Sequence, residues 1–358
     1  QDVIYVGYGV FLGCEKLTKL SIYCKDIGEW FKDNKVIKEV ILGEGVTTIA
    51  SNAFYGCSEL NTINFPNALI TIGSHSFADC TSLTSVDIPD GTTSIGTYAF
   101  SGCTGLKTAK FPKTLTSISR YMFIDCASLA SFEIPDSVTY IGENAFRNCA
   151  SLTSATLPKN LTTIGSWAFK GCSNISSLSV NCQLDDQHVK VGEGAFDECN
   201  VSSMNFHCKE INRLSVRPSV KTIVIGDEVT SIGDNAFSDF HSITSVSFSK
   251  SVTSVGTNAF WNCDGLQSVV IPDNVTSIGD YAFNGCSSLE SAELHSQDIG
   301  KRSFSGLEAL KEVILGKEVR SIGTDAFNGC TKLKKIRILS KGISSIGKNA
   351  FLNSTEIY

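Results

Sequence analysis

The chain has 358 residues, 42% of them hydrophobic, with 30 Lys and Arg against 36 Asp and Glu and a formal net charge of −6. This sparse, slightly acidic charge argues against a nucleic-acid surface, which needs a concentrated basic face. No apolar run reaches the roughly 18 residues of a membrane-spanning helix.

A 23-residue pattern recurs along almost the whole sequence. Residues 83–105 show it in full, with the skeleton L-x-x-V-x-I-P-x-x-x-x-x-I-G-x-x-A-F-x-x-C. Its phenylalanine returns at a spacing of 23 residues at Phe54, Phe77, Phe100, Phe123, Phe146 and Phe169. A fixed period of this size is typical of a solenoid, in which each coil buries its apolar face only against its neighbours. We therefore expect a repeat solenoid of about fifteen coils.

The first half of each coil predicts a short parallel strand with one buried face. It opens on an aliphatic residue and then alternates polar with apolar side chains, which is the period of a half-buried strand. The opening residues are Leu17, Ile37, Leu60, Leu83, Leu106, Leu129, Leu152, Ile175, Val201, Val220, Ile243, Leu266, Leu289, Leu310 and Leu333. Stacked in register, these strands form a parallel sheet along one side of the solenoid.

The second half of each coil, V-T-x-I-G-x-x-A-F-x-x-C, predicts a turn or a short helical segment. The glycines at one shared position suggest positive φ there: Gly73, Gly96, Gly142, Gly165, Gly233, Gly256, Gly279 and Gly323. Ala50 and Ser119 occupy that position in two coils, so the conformation is preferred and not compulsory. Residues just before Ala-Phe are expected to be N-caps of a single helical turn: Asn52, Asn144, Asn235 and Asn258.

Both ends of the sequence fall inside a repeat. Residues 3–14 align with the second half of a coil, and residues 351–358 stop where the next strand would begin. Because a solenoid needs terminal caps, we expect a trimmed fragment of a longer protein. We predict a single solenoid over residues 1–358, and a local kink rather than a domain boundary at 181–222, where the rhythm is irregular.

The repeat L-x-x-I-x-I-P…I-G-x-x-A-F-x-x-C resembles the BspA-like class of bacterial cell-surface leucine-rich repeats over essentially the whole chain. The resemblance implies a right-handed, curved leucine-rich repeat solenoid that is secreted or displayed at the cell surface. It also implies a protein partner, such as a host extracellular-matrix or cell-surface protein, bound by a monomer.

Eleven of the fourteen cysteines lie three residues after the repeat phenylalanine: Cys14, Cys57, Cys80, Cys103, Cys126, Cys149, Cys172, Cys199, Cys263, Cys286 and Cys330. Phe240 and Leu307 take this position in other coils, so we predict a buried ladder of reduced thiols. Cys182 and Cys208 follow the strands of two neighbouring coils. They form either a disulfide or two partly exposed thiols, whereas Cys24 has no partner in the next coil.

The sequence holds no pattern that predicts catalysis, a metal or a cofactor. It has no C-x-x-C pair, no phosphate-binding G-x-x-x-x-G-K-[ST] and no G-x-S-x-G nucleophile turn. Asp185, Asp186 and His188 make the best metal-like cluster. We interpret it as a solvated loop, because its spacing matches no ligand pattern. We therefore expect a protein that is not an enzyme and needs no cofactor.

Two surfaces are candidate binding sites. The first is the outward face of the predicted sheet, where charge concentrates at Lys107, Lys110, Glu133, Lys311, Lys334, Lys335 and Arg337. The C-terminal basic group would either meet an acidic partner or protect a sheet edge from pairing. The second is an aromatic stripe just before Ala-Phe, formed by His75, Tyr98, Tyr121 and Trp167 with Asn144 between the last two. Its rings either bind a ligand or cover the adjacent coil.

The resulting functional hypothesis is a non-enzymatic binding module that mediates protein–protein interaction or adhesion. Two alternatives remain open at this level. One is a structural spacer within a larger surface protein, and the other is carbohydrate attachment through the aromatic stripe.

Overall fold

The computed structural model describes residues 7–182, 184, 188–214 and 220–354, and these form short strands and turns without a helix. The strands in chain order are β1 (Lys19–Ile22), β2 (Asp26–Ile27), β3 (Glu39–Leu42), β4 (Thr48–Ile49), β5 (Thr62–Ile63), β6 (Thr71–Ile72), β7 (Ser85–Asp87), β8 (Ser94–Ile95), β9 (Thr108–Lys110), β10 (Ser117–Ile118), β11 (Ser131–Phe132), β12 (Tyr140–Ile141), β13 (Ser154–Leu157), β14 (Thr163–Ile164), β15 (Ser177–Val180), β16 (Lys190–Val191), β17 (Ser203–Phe206), β18 (Glu210–Ile211), β19 (Thr222–Ile225), β20 (Ser231–Ile232), β21 (Ser245–Ser247), β22 (Ser254–Val255), β23 (Ser268–Ile271), β24 (Ser277–Ile278), β25 (Ser291–Leu294), β26 (Asp298–Ile299), β27 (Glu312–Leu315), β28 (Ser321–Ile322), β29 (Lys335–Ile338) and β30 (Ser345–Ile346).

Each coil carries two strands, and this makes the fold a parallel β-solenoid of the leucine-rich repeat class. The odd-numbered strands begin two residues after the predicted opening residues, which confirms the predicted strands. In the first half of the chain β7 pairs with β9 in parallel, with Val86 opposite Ala109. Within each unit the even-numbered strands also pair in parallel, for example β6 with β8, and the sequence interpretation missed this pairing.

The described chain divides into two compact units, residues 1–176 with 190–200 and residues 177–189 with 201–358. A single continuous solenoid therefore remains a prediction. Of the metal-like cluster in the irregular stretch, Asp185 and Asp186 lie outside the described residues.

A column of stacked phenylalanines fills the core of each unit. In the first unit the column runs from Phe11 to Phe196, with ring centroids of successive coils 4.7 to 5.6 Å apart and nearly parallel planes. In the second unit it runs from Phe237 to Phe351, with centroids 5.0 to 5.2 Å apart. The strict 23-residue phenylalanine period is therefore the one-coil step of these columns.

The predicted ladder of buried thiols is confirmed at nine of its eleven positions. The structure adds a hydrogen bond at each of these nine buried cysteines. The Cys103 Sγ donates to the Phe77 carbonyl oxygen of the preceding coil at 3.1 Å, and Cys126 does the same to Phe100. The prediction is wrong for Cys14, which is exposed in the first described coil, and Cys199 is only half-buried. In another coil Asn34 replaces the thiol, and its Nδ2 donates to the Phe11 carbonyl at 2.9 Å.

The predicted positive φ of the glycines after the even strands is wrong. None of the eight glycines has positive φ, so conformational freedom is not the reason for the residue type. The reason is close contact between coils: a Cβ on Gly142 would lie 2.5 Å from the Arg120 backbone nitrogen and 2.7 Å from the Ser119 carbonyl carbon. Ser119 occupies the same position one coil earlier and donates its hydroxyl to the Ile95 carbonyl.

Of the two alternatives for the second half of the coil, the turn is confirmed, and the helical segment with its asparagine N-caps is wrong. Asn52, Asn144, Asn235 and Asn258 have φ between 53° and 59°, whereas an N-cap has extended backbone. Their backbone N–H groups donate to the next coil instead, as in Asn144 N to Ser166 O at 3.0 Å. A left-handed residue followed by turns aims these N–H groups along the solenoid, and asparagine tolerates that conformation well.

Replacing Gly142 by Ala is expected to destabilise the first unit by about 1–3 kcal/mol, because backbone must move to admit the methyl group. Gly342→Ala is the control, since no atom lies within 4 Å of its added Cβ. Urea unfolding followed by circular dichroism measures both variants. Equal stability of the two variants would contradict the close-contact explanation.

Candidate binding face

We call the outward side chains of the odd strands, with the residues that directly flank those strands, the odd-strand face. The structure places all seven predicted charged residues on this face, and all seven are exposed. Lys107, Lys110 and Glu133 belong to the first unit. The other four belong to the second unit, so the face is described for each unit separately.

In the first unit the charges form three rows of alternating sign. The coil of β7 presents Asp87 and Asp90, and the coil of β11 presents Glu133 and Asp136. Between these two acidic rows the coil of β9 presents three exposed lysines: Lys107, Lys110 and Lys113. Adjacent strands of a sheet lie about 4.8 Å apart, so Lys110 and Lys113 face carboxylates on both sides, whereas Lys107 lies between Thr84 and Ala130.

One ion pair crosses these rows. The Lys110 Nζ lies 3.2 Å from the Asp87 Oδ1, and both side chains are largely exposed, so the pair contributes little to stability. Within the described part of the chain, no cation lies within 4.0 Å of the Glu133 carboxylate. Glu133 therefore keeps its charge available to a ligand.

An open cavity of about 710 Å³ lies over strands β7, β9 and β11, and we call it the β9 groove. Its lining combines charged and hydroxyl side chains with aromatic ones: Ser85, Asp87, Thr108, Lys110, Phe111, Lys113, Ser131, Phe132 and Glu133, together with Val86, Ala109 and Pro135. An adjoining cavity of about 450 Å³ shares Ser85, Asp87 and Lys110. Together they make the odd-strand face of the first unit concave at this point.

A change of side-chain size at one core position produces the groove. Ala109 and Phe132 lie opposite each other in the register of β9 and β11. Phe132 packs on Phe146, with centroids 4.2 Å apart, and edge-on to Phe111 at 6.1 Å. It is only half-buried, whereas Val86 and Ala109 at the same position are buried. The sequence interpretation missed this aromatic residue, although Phe beside Ala in a column of aliphatic residues was a visible signal.

In the second unit the predicted basic group is largely compensated. Lys311 pairs with Glu290 and Lys335 pairs with Glu312, each at 2.7 Å. Lys334 and Arg337 are exposed beside these pairs. Two of the four basic residues are thus paired with carboxylates of preceding coils. The group should therefore bind an anion more weakly than its sequence suggested.

The aromatic stripe forms only in part. His75, Tyr98 and Tyr121 stack in a continuous column, with centroids 4.6 and 4.4 Å apart. Tyr98 therefore has a ring covering each of its faces, and sugar stacking needs an open face. The buried Asn144 separates this column from Trp167, which packs against Gly194 of the next coil.

The second unit has a polar counterpart of the stripe, which the sequence interpretation did not single out. Arg302 Nε lies 3.2 Å from Asp325 Oδ2, and Arg302 Nη1 donates to the Tyr281 hydroxyl at 3.4 Å. All three residues have φ between 52° and 57°. In both units the residue at this position therefore contacts its counterpart in the next coil. The contact is ring stacking in the first unit, and it is an ion pair and a hydrogen bond in the second.

Cys182 and Cys208 are buried thiols, and the Cys208 Sγ donates to the Glu210 carbonyl at 3.3 Å. The disulfide between them stays a prediction. Alkylation of the unfolded, unreduced protein decides it by mass: the bridge leaves two fewer labelled cysteines than the fourteen in the sequence. Cys24 is exposed.

A family model for the BspA-type leucine-rich repeat region matches in six overlapping copies, at residues 1–107, 25–153, 95–217, 141–263, 215–298 and 295–358. The chain belongs to the BspA-type leucine-rich repeat family. This is a family of bacterial surface proteins, and its repeats are a protein-interaction fold that generally serves as a non-enzymatic scaffold.

Solved structures of similar proteins come from several bacteria. A leucine-rich repeat protein from Bacteroides ovatus is 28% identical and covers 93% of this chain and 87% of its own, with a TM-score of 0.46. A leucine-rich cell-surface protein from Faecalibacterium prausnitzii is 25% identical over 90% of this chain and 83% of its own, with a TM-score of 0.41. A leucine-rich repeat protein of T. pallidum is 32% identical over 51% of this chain and 82% of its own, with a TM-score of 0.42.

A comparison with curated proteins finds no match. Among the described residues, no helix has the length and apolar character needed to cross a membrane.

Proposed function

We propose that this BspA-type solenoid is a cell-surface or secreted module that binds a protein partner through the odd-strand face of its first unit. The observation that carries the proposal is the β9 groove, where a half-buried aromatic ring lies among exposed charges of both signs. Protein interfaces favour this combination of an aromatic anchor with a polar rim. The core columns and the glycine contacts build the scaffold, so specificity resides in the outward residues.

The test is a binding screen of the purified chain against extracellular-matrix and cell-surface proteins. The bait is compared with a charge-reversed groove variant, Lys110→Glu with Glu133→Lys. The matched control is Thr93→Lys with Thr116→Glu, which alters exposed residues next to the even strands β8 and β10, in two of the three coils that line the groove.

A partner retained by the wild type and the control, and bound about tenfold more weakly by the groove variant, supports the proposal. If a partner bound the wild type, the control and the groove variant equally, its binding site would lie outside the β9 groove. Retention of no protein would favour a structural spacer. A glycan array with a Tyr98→Ala, Tyr121→Ala and Trp167→Ala variant tests carbohydrate attachment, and lectin activity lost in that variant would support it.

A further inference from the structure

The β9 groove also indicates what its partner must present. We infer that it accepts a protein segment in which a large apolar side chain lies next to an arginine or lysine. The inference rests on the proposed function and specifies the chemistry of the partner at the same site.

The apolar part of the inference comes from Phe132 and Ala109. In the neighbouring coils folding has buried the side chains of this core column, with Val86, Ala109 and Ala155 each 6% exposed or less. The Phe132 ring remains half-exposed, and the small Ala109 leaves the groove open beside it. A large apolar side chain of a partner would cover the ring and fill this space, which is how anchor residues dominate protein interfaces.

The basic part comes from the charges at the rim. Asp87 already has a cation, since Lys110 Nζ lies 3.2 Å from its carboxylate. Asp136 has Lys159 Nζ at 3.6 Å from its Oδ2. Glu133 lines the groove without a cation within 4.0 Å in the described part of the chain. An incoming guanidinium or ammonium group would pair with Glu133, and its aliphatic stem would lie along the Phe132 ring.

The lysines of the central row do not make the groove a site for an acidic segment. Lys110 is flanked by Asp87 and Glu133, and Lys113 is flanked by Asp90 and Asp136, while Lys107 lies at the end of the row between Thr84 and Ala130. A polyanion laid along this row would meet repulsion from both acidic rows. A single positive side chain placed at Glu133 meets one unpaired carboxylate and avoids the lysine already held by Asp87.

The experiment is selection of a random peptide library displayed on phage against the wild-type chain, followed by fluorescence anisotropy of synthetic peptides. Enriched peptides should carry an aromatic or large aliphatic residue within two positions of Arg or Lys. Glu133→Lys is expected to weaken their binding about tenfold, and so is Thr108→Tyr, which narrows the groove from an exposed rim position. Ser247→Lys, in the equivalent column of the second unit, should leave binding unchanged.

Peptides without a basic residue, or peptides that bind Glu133→Lys as tightly as the wild type, would overturn the inference. Failure of any peptide to enrich on the wild type over Thr108→Tyr would overturn it too. These outcomes leave the proposed function intact, because that function fails when the binding screen retains no protein or when its partners bind the groove variant as tightly as the wild type.

Discussion

Raising the pH from 8 to 10 is expected to lower the stability of the first unit by several kcal/mol. Burial raises the pKa of the Cys57 and Cys103 thiols from an ordinary value of 9.0 to about 12, and it raises the pKa of Cys80, Cys126 and Cys149 well above that ordinary value. These thiols stay protonated in the folded chain, whereas in the unfolded chain they ionise as the pH passes 9. Stability is therefore complete below pH 9 and falls above it.

The expected size follows from proton linkage. Each such thiol costs about 1.4 kcal/mol of folding free energy between pH 8 and 10, so five cost roughly 7 kcal/mol. That is comparable to the whole stability of a typical domain, about 5–15 kcal/mol. Urea unfolding at a series of pH values, with a reducing agent present, measures the effect. A variant with Cys103→Ala and Cys126→Ala should lose about 3 kcal/mol less over the same range, and a pH-independent urea midpoint would contradict the buried thiol ladder.

Phe100→Ala is expected to destabilise the first unit by about 3–5 kcal/mol, which is the cost of emptying a buried aromatic site. Phe100 is fully buried between Phe77 and Phe123, with ring centroids 5.3 and 5.4 Å away. Because the rigid coils above and below hold the cavity open, we expect a value near the upper end of that range. Chemical unfolding at neutral pH measures it.

Ser85→Ala provides the control for Phe100→Ala, because Ser85 is exposed on the odd-strand face of the same coil. Its stability should stay within about 0.5 kcal/mol of the wild type. If both variants lost similar free energy, the phenylalanine column would not be the main source of core stability.

The structural features that were predicted correctly from sequence all depend only on the 23-residue repeat period. The odd strands, the phenylalanine column and the thiol ladder repeat because each coil buries the same positions against its neighbours. Phe54, Phe77 and Phe100 show the one-coil step directly. In residues 83–105, Thr84 and Asp87 are exposed as predicted while Leu83 and Val86 are buried.

The elements missed from sequence depend on contacts between coils. The sequence alone does not say whether Gly142 is needed for a positive φ or for a close contact between coils. The structure decides for the contact, because the Arg120 backbone of the preceding coil leaves no room for a Cβ. The sequence does mark residues with left-handed backbone, but at a different position of the repeat from these glycines. Gly56, Asp79, Gly102, Asp125 and Asn148 alternate just before the ladder cysteine, and all have positive φ. Glycine, asparagine and aspartate are the residues that tolerate this backbone.

The candidate site was predicted in part. Lys107, Lys110 and Glu133 were placed correctly on an exposed face, because strand alternation determines which side chains point outward. The cavity beside them was not predicted, since it depends on the size difference between Ala109 and Phe132 in neighbouring strands. The ion pair between Lys335 and Glu312 was not predicted either, because the two residues lie in neighbouring coils and not next to each other in sequence.

The most direct test of the account is hydroxyl-radical footprinting of the chain in complex with a partner from the binding screen. If the β9 groove is the binding site, protection should concentrate on Phe132 and Pro135, while Tyr98 and the residues flanking β8 and β10 keep their reactivity. Protection confined to the aromatic column or to the even strands would contradict the assignment of function to the odd-strand face.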